Sequence, residues 1–261
     1  MINLKVFTLF FATLIAVSSA HAEFDHSHKK WGEVLTKYLK DIPGSSQFDY
    51  KGVKADSATL DAYLKDVSAV TKDQYNKWSD NQKMAFLINA YNAYTIKFII
   101  KDDIPKSIKD KGSLFSSPWK KKFFKIFGKD THLDHLEHGM ARKEFNNCRV
   151  HFAFNCASIG CPALLGEPFV ADKLDEQYEI STKKFLTDKT RNRYNAEKNE
   201  LELSKIFDWY EDDFSKDKTC GSVAKFVSKY ITDDPALQKK IAESNPDIDH
   251  LKYDWNLNIK K

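Results

Sequence analysis

Glycine and proline are scarce in this chain of 261 residues, with 9 glycines and 7 prolines. That scarcity excludes collagen-like and low-complexity chains, which are rich in one or both. A strong charge imbalance is also missing, because 41 basic residues face 37 acidic ones and the net charge is +4. We therefore expect no nucleic-acid partner, since binding to a phosphate backbone relies on many basic side chains.

Long apolar runs are lacking after the amino-terminal segment, where residues 6–17 form one apolar stretch. This stretch is shorter than the roughly 20 residues that a membrane-spanning helix needs. Lys5 precedes it and small residues end at Ala22, a layout typical of a cleaved secretory signal peptide. We expect removal of residues 1–22 near Ala22, which makes the mature chain, residues 23–261, periplasmic or secreted.

The chain has only four cysteines, and all of them follow the expected cleavage point. In an oxidising compartment four thiols can pair in three ways. One interpretation is two structural disulfides. Another pairs Cys148 with Cys220 and leaves Cys156 with a functional role. The residues alone leave this choice open.

The apolar patterns predict an α+β fold. Residues 81–100 are apolar on nearly every side and follow a capping residue, Ser79, so they predict a helix in the centre of the domain. Alternating residues predict strands over 149–156 and 251–259. Regular strand–helix–strand spacing is absent. We expect a single compact domain in which the central buried helix packs against a small, mainly antiparallel sheet.

Two asparagines of the central helix, Asn89 and Asn92, stand three residues apart and share a face. A buried amide without a hydrogen bond costs roughly 1 to 3 kcal/mol, so both need partners. They either tie down the backbone of an adjacent loop or orient a catalytic group.

Cys156 is the candidate nucleophile, because it ends a predicted strand just before a turn that can expose a thiol. His138, on a predicted helix and flanked by Glu137 and Arg142, is the candidate general base, since an imidazole titrates near neutrality. In a strand, His151 faces away from Cys156, so we expect it to support the structure instead.

Three histidines, His132, His135 and His138, recur at intervals of three on the same predicted helix. Zinc sites usually draw ligands from more than one element, and the helical motif of zinc proteases is missing here. We therefore expect no metal and no cofactor.

A lysine-rich stretch precedes this helix. It fits an exposed edge strand, in which lysines prevent unwanted pairing. The alternative is weak contact with an anionic surface. The lysines concerned are Lys120, Lys121, Lys122 and Lys125.

Six motifs, in this order, resemble the family named domain of unknown function 547. They are FDYKGVKAD with a following LDAYL, FLINAYNAYTI, LEHGMAR, RVHFAFNCASIGCP, LSKIFDWYEDDF and YDWNLN. The resemblance extends from about Phe48 to Asn258. The family includes exported bacterial proteins, and its name implies no established activity.

The resemblance also bears on individual positions. Relatives commonly have proline at position 148, which favours a disulfide between Cys148 and Cys220 particular to this chain. Some relatives have serine at position 161, so a bond between Cys156 and Cys161 is not obligatory. The motif positions carried over are Asn89, Tyr91, Asn92, Glu137, His138, Arg142, Asn155, Cys156 and Pro162.

Two function classes remain. The first is a thiol-dependent hydrolase or acyltransferase that acts on peptide or amide bonds, with Cys156 as nucleophile and His138 as base. The second is a non-catalytic, disulfide-stabilised binding or scaffold domain for a peptide or protein partner.

Overall fold

The computed structural model describes residues 23–113, 116–145, 147–217 and 220–260. The predicted signal peptide lies outside them. Within them, the α+β prediction is confirmed, and no helix is long and apolar enough to cross a membrane. The α-helices are α1 Lys29–Tyr38, α2 Tyr50–Ala55, α3 Ala58–Ala69, α4 Lys72–Lys77, α5 Asp80–Ile100, α6 Arg142–Glu144, α7 Leu174–Leu186, α8 Ile206–Trp209, α9 Glu211–Lys216, α10 Val223–Ile231 and α11 Pro235–Ser244.

The strands form three small sheets. Two are antiparallel pairs, β1 with β2 and β3 with β4, and the third has the order β5-β6-β7. Within these sheets of the described residues, strand pairing is antiparallel except between β6 and β7. The strands are β1 Leu39–Ile42, β2 Ser45–Phe48, β3 Phe124–Ile126, β4 Lys129–Thr131, β5 Arg193–Asn195, β6 Glu200–Ser204 and β7 Asp247–Leu251.

The central helix forms as predicted. The Ser79 hydroxyl accepts a hydrogen bond from the backbone N–H of Gln82, and the Gln82 side chain returns one, which satisfies two free groups at the helix start. Every residue from 84 to 96 is buried. The neighbours that cover α5 are chiefly helical, namely α2, α3 and a π-helix at His135–Ala141. A sheet also packs on α5, because Phe124 of β3 stacks on Tyr94 with ring centroids 3.8 Å apart.

Buried side chains form two apolar clusters. The larger surrounds α5 and draws on α1 to α3, whereas the smaller is built from α7 to α11 and β6. The segment 148–154 lies between them, since Val150 and Phe154 join the larger cluster and Phe152 joins the smaller. This segment therefore has apolar neighbours on both sides.

The strand predicted over residues 149–156 is wrong. Residues Cys148–Phe152 form a 3-10 helix, and residues 153–156 are irregular. Alternation normally indicates one buried and one exposed face, but here clusters on both sides bury side chains of either parity. No described strand pairs with this segment.

The carboxyl-terminal segment follows the predicted alternation only in part. It is a strand at Asp247–Leu251 and then runs extended, joined to other segments by isolated bridges such as Ser158 with Leu257. Odd-numbered residues from 251 to 259 are buried or half-buried, and residues 252, 254 and 256 are exposed. Tyr253 and Trp255 therefore share the inward side.

The lysine-rich stretch precedes and enters the hairpin of β3 and β4. Lys125 pairs with Asp130 at 2.8 Å, and the side chains of both are more than half exposed. Lys120, Lys121 and Lys122 are exposed. Both strands are edges, which agrees with the use of lysine to prevent pairing.

Candidate functional site

One pocket of about 220 Å³ collects most of the chemically interesting side chains. We call it the aromatic pocket. It opens between the π-helix, the 3-10 helix Cys148–Phe152, α8 and the carboxyl-terminal segment. Its lining is Tyr91, Ser117, Trp119, Asp134, Glu137, His138, His151, Phe154, Cys156, Cys161, Pro162, Ile206, Trp209, Tyr210, Tyr253 and Trp255.

A larger cavity of about 390 Å³ shares Tyr253 with the aromatic pocket. Two of its charged side chains, the partly buried Asp188 and Arg191, are already paired at 2.8 Å. Arg191 also donates to the carbonyl oxygens of Cys161 and Gly44. These groups stabilise the surrounding loops, so we place the candidate chemistry in the aromatic pocket.

The π-helix His135–Ala141 carries Glu137 and His138 into the aromatic pocket. The sequence predicts a helix here, but the wider turn is not visible in its pattern. The N–H of Arg142 donates to the carbonyl of Glu137, five residues back, as the π geometry requires. Such turns are rare and frequently occur at functional sites.

A chain of charge-assisted hydrogen bonds joins the two pocket histidines. Arg142 Nη1 donates to His138 Nδ1 at 2.8 Å, and Arg142 Nε donates to Asp213 Oδ2 at 2.7 Å. The same Asp213 oxygen accepts from His151 Nε2 at 2.8 Å. These two hydrogen bonds, with that from His151 the stronger influence, hold the pKa of Asp213 well below its usual range.

The two histidines differ in which nitrogen is free. An arginine guanidinium has no acceptor, so His138 Nδ1 must accept and Nε2 must carry the proton. His151 donates from Nε2 to a carboxylate, and its Nδ1 has no hydrogen-bond partner among the described atoms. In this arrangement His138 offers a donor to the pocket and His151 offers an acceptor.

His151 is held in an apolar setting. Its side chain is 0 % exposed, and its ring stacks on Tyr210 with centroids 3.9 Å apart. Burial lowers the pKa of His151, although the hydrogen bond to Asp213 opposes this. The imidazole is therefore neutral at neutral pH and able to accept a proton.

Glu137 is a buried carboxylate, 7 % exposed, with no ion pair in the described chain. The Tyr210 hydroxyl donates to it at 3.2 Å, and Tyr91 is a second phenol in contact with it. Burial raises the pKa of both tyrosines, so both hydroxyls stay protonated and can donate.

The turn of residues 155–162, which we call the cysteine turn, is fastened from several sides. Asn92 accepts from the N–H of Asn155 at 2.8 Å and donates to the carbonyl of Ala153 at 2.9 Å. Asn155 in turn donates to the carbonyl of Pro162 and accepts from the N–H of Ala157. The carboxyl-terminal segment accepts from the N–H groups of residues 159 and 160.

Ala157, directly after Cys156, has a left-handed backbone with φ of 64°. A residue other than glycine in this region costs about 1 to 3 kcal/mol, and such residues cluster at active sites. The fastened turn maintains this conformation and fixes the direction of Cys156.

Cys156 is partly exposed and forms a disulfide with the buried Cys161. The Ser158 hydroxyl lies 3.0 Å from the Cys156 sulfur, and the Tyr253 hydroxyl lies 3.3 Å from each of the two sulfurs. Burial raises the pKa of Tyr253, which keeps its hydroxyl a hydrogen-bond donor. Both sulfurs thus have donors ready to stabilise negative charge.

Asn89 lies away from this turn. It donates to the carbonyl of Phe169 at 2.7 Å and accepts from the N–H of Phe169 at 3.0 Å. Asn89 is 0 % exposed and does not line the aromatic pocket. The structure thus has both helix asparagines holding loop backbones, and only Asn92 holds the loop that carries Cys156.

The predicted disulfide between Cys148 and Cys220 is confirmed. With Asp217, these sulfurs make up the one group of three potential metal ligands found among the described residues. The disulfide already uses both sulfurs. The three histidines of the π-helix region do not converge into such a group within the described residues.

Glu137, His138 and Cys156, the candidates named from the sequence, all line the aromatic pocket, and so does His151, which the sequence pattern assigned a structural part. Sequence reasoning missed Asp213, Tyr210 and Tyr253. A signal was present, because the first two of these belong to the motif LSKIFDWYEDDF and the third to YDWNLN. The positions of these motifs along the sequence do not predict that they contact residues 137–161 in the fold.

Comparisons with known proteins bear on the middle of the chain. Residues 75–186 match a family model described as "Protein of unknown function, DUF547". This range contains α5, the π-helix and the cysteine turn, whereas Asp213 and Tyr253 lie beyond it. Searches of curated proteins and of solved structures found no match.

Proposed function

Because residues 75–186 match the DUF547 family model, whose description names no activity, we propose a function from the aromatic pocket. The protein is a hydrolase or acyltransferase that acts on peptide or amide bonds, and Cys156 is its nucleophile. One observation carries the proposal: Cys156 and a neutral His151, oriented by Asp213, line the same pocket. A nucleophile beside a base that a third group orients is the arrangement that covalent catalysis needs.

In this proposal the general base is His151, whereas His138 is the candidate base named from the sequence. Asp213 fixes the proton on Nε2, so Nδ1 is left to accept the proton of the thiol. The carboxylate also stabilises the imidazolium that results. His138, with its proton on Nε2, is suited to donate a hydrogen bond to a developing negative charge.

The active form in this proposal is reduced. A dithiol reductant transfers two electrons to the bond between Cys156 and Cys161, which yields two protein thiols and one oxidised reductant. Cys156 is the partly exposed partner, so an incoming thiolate attacks there and Cys161 leaves as a thiolate that takes up a proton. The second thiol of the reductant then attacks the mixed disulfide and releases Cys156. The disulfide form is the resting form.

The reaction then follows from the free side chains. His151 Nδ1 accepts the proton of Cys156 as the sulfur attacks the carbonyl carbon, and His138 Nε2 donates to the oxyanion. The imidazolium of His151 returns the proton to the departing amine, and a thioester remains on Cys156. Water or an acceptor amine, deprotonated by His151, releases the acyl group and restores the thiol.

Alkylation of Cys156 tests the proposal. In a Cys161→Ser background, Cys156 is a free thiol while the bond between Cys148 and Cys220 stays closed. We expect iodoacetamide at pH 6 to modify Cys156 about tenfold faster than free cysteine, because a neighbouring base lowers the pKa of a thiol. His151→Ala should remove this advantage, and His250→Ala, on a surface strand, should keep it.

Peptide mass spectrometry locates the modification, and circular dichroism checks that each variant is folded. A rate no greater than that of free cysteine, or alkylation only after denaturation, would refute Cys156 as nucleophile. An unchanged rate in His151→Ala would refute His151 as base.

A non-catalytic binding or scaffold domain is the second candidate, favoured by the disulfide between Cys156 and Cys161. In that case the cysteine turn only stabilises the pocket. The Cys161→Ser protein would then show ordinary thiol reactivity and no amide turnover, while any ligand of the pocket would still bind.

We also propose that the protein works in the periplasm or outside the cell. Two disulfides support this, because they persist in oxidising compartments. Mass spectrometry of the exported protein should find Glu23 as its first residue. An intact chain beginning at Met1 as the main exported species would refute cleavage at Ala22. Weak contact of an anionic surface with Lys120, Lys121, Lys122 and Lys125 stays a prediction.

A further inference from the structure

The charges that line the aromatic pocket are negative. Asp134 and Glu137 contribute carboxylates, and no lysine or arginine is among the lining residues. Among the described residues, the Asp134 carboxylate pairs with His138 Nε2 at 4.0 Å and also interacts with the imidazole of His132. The nearest guanidinium, that of Arg142, is committed to Asp213 and His138.

The excess of negative charge in the aromatic pocket matters most at Glu137, whose carboxylate is buried. Buried carboxylates are usually paired with a positive group, because transfer of an isolated charge out of water is costly. Glu137 is 7 % exposed and receives a hydrogen bond from Tyr210 but has no ion pair in the described chain. His151 Nδ1 is a second buried acceptor on the same pocket without a donor. Glu137 interacts with Arg142 at longer range, but no described lysine or arginine donates to it within the pocket.

The walls of the pocket suit a cation as well. Aromatic rings attract ammonium groups through the negative face of the π system. Arg142 already lies 4.7 Å from the ring centre of Tyr210, and Lys109 lies 3.8 Å from that of Trp255. The rings of Tyr91 and Trp119 have no such cation from the described chain, so a ligand can supply one.

The size of the pocket limits what enters it. About 220 Å³ is below the roughly 300 to 1,000 Å³ of sites for drug-sized ligands, so it accepts one side chain. Trp209, 44 % exposed, stands at the rim beside Tyr253 with ring centroids 4.9 Å apart, where the rest of a longer ligand can rest.

We infer that the aromatic pocket recognises its substrate by a primary ammonium group, which sits between Glu137 and the rings of Tyr91 and Trp119. The substrate class is an amide that carries an amine, such as a peptide with a lysine or another diamino acid. This inference rests on the proposed function for its amide part. The ammonium part can be tested without any turnover.

Two matched probes provide the test. Nα-acetyl-lysine amide carries the ammonium group, and Nα-acetyl-norleucine amide replaces it with a methyl group at similar length. Binding to the mature, disulfide-bonded protein is measured by calorimetry and by tryptophan fluorescence. We expect the lysine probe to bind at least tenfold more tightly than the norleucine probe.

Three variants test which residues cause the preference for the lysine probe. Glu137→Gln keeps the shape and the hydrogen-bond acceptor but removes the charge, and should abolish the tenfold preference. Trp119→Ala should reduce the preference if Glu137→Gln does not fold. Glu243→Gln, on the surface of α11, should leave the preference unchanged.

Equal binding of the two probes, or an unchanged preference in both pocket variants, would overturn the inference. So would displacement of the lysine probe by micromolar calcium or zinc, since the missing cation would then be a metal ion. The nucleophile is blocked in this experiment. Preferential binding without later amide turnover in Cys161→Ser would therefore refute only the proposed function.

Discussion

Burial of a histidine near the start of the described chain couples folding to pH. His28 is 1 % exposed, and its Nδ1 pairs with the Tyr63 hydroxyl at 2.7 Å. Burial lowers the pKa of His28 to about 3 from 6.5. Below pH 6.5 His28 is protonated in the unfolded chain but stays neutral in the folded protein. The free energy of unfolding therefore falls as the pH falls. Above pH 6.5 both states are neutral and this effect vanishes.

We predict that His28→Asn flattens the pH dependence of stability. Between pH 6 and pH 4 the native protein should lose up to about 1.4 kcal/mol per pH unit from His28 alone. Asparagine does not titrate and tolerates the left-handed backbone at this position, where φ is 51°. Urea unfolding at several pH values measures the slope. An identical slope in the variant, with His250→Asn as control, would contradict the prediction.

Ala157 shows how the backbone beside Cys156 is held. Its left-handed φ favours glycine, but its methyl group is 1 % exposed and packed. Ala157→Gly should relieve about 1 kcal/mol of strain and lose about 0.8 kcal/mol of burial, so stability should barely change.

Two comparison variants make this prediction specific. Ala153 is equally buried but has φ of −102°, so Ala153→Gly should cost about 1 kcal/mol. Ala157→Val should cost more than 2 kcal/mol, because a branched side chain strains a left-handed backbone. Thermal unfolding compares the three, and equal losses in both glycine variants would disprove the account.

Helix α5 holds two loops in place. One loop carries Cys156 in the aromatic pocket, and the other lies away from the pocket at Phe169. Asn89 and Asn92 each make two hydrogen bonds to loop backbone, and only Asn92 contacts the cysteine turn, through Asn155. The helix thus links the rigid core to the direction of Cys156.

We predict that Asn89→Ala and Asn92→Ala destabilise the protein alike but act differently on the thiol. Each leaves buried loop groups without partners, at a cost of about 2 to 3 kcal/mol. In the Cys161→Ser background only Asn92→Ala should slow the alkylation of Cys156. Equal alkylation rates at equal stability loss would show that α5 does not position the turn.

The two disulfides differ in what they constrain. Cys148 and Cys220 are 72 residues apart, and both are buried, whereas Cys156 and Cys161 are 5 apart at the pocket. In the chain-entropy model the long loop is worth about 4 kcal/mol and the short loop about 2. The long bond joins two parts of the smaller apolar cluster.

We therefore predict stepwise reduction of the whole molecule. A mild dithiol should open the bond between Cys156 and Cys161 first, with a small loss of stability and a folded protein. Removal of the other bond by Cys148→Ser with Cys220→Ser should lower the free energy of unfolding by about 4 kcal/mol. Differential alkylation with mass spectrometry gives the order, and earlier loss of the buried bond would refute it.

Some of this molecule was decided by the sequence alone. The start of α5 follows from the reciprocal bonds of Ser79 and Gln82, and its central place follows from apolar residues on all sides. The pairing of Cys148 with Cys220, by contrast, was expected only from the resemblance to the family, because the residues alone left the choice open. Capping and periodicity act over a few residues, so they are readable locally.

Other features were decided only by tertiary structure. The alternation over residues 149–156 predicts a strand, but two apolar clusters close over this segment from both sides and favour a 3-10 helix. That change turns His151 toward Asp213, 62 residues later in the chain. Contacts between distant segments depend on how the two apolar clusters pack. Local sequence patterns do not predict such contacts. The sequence therefore indicated which residues carry chemistry, and the packing decided which of them meet.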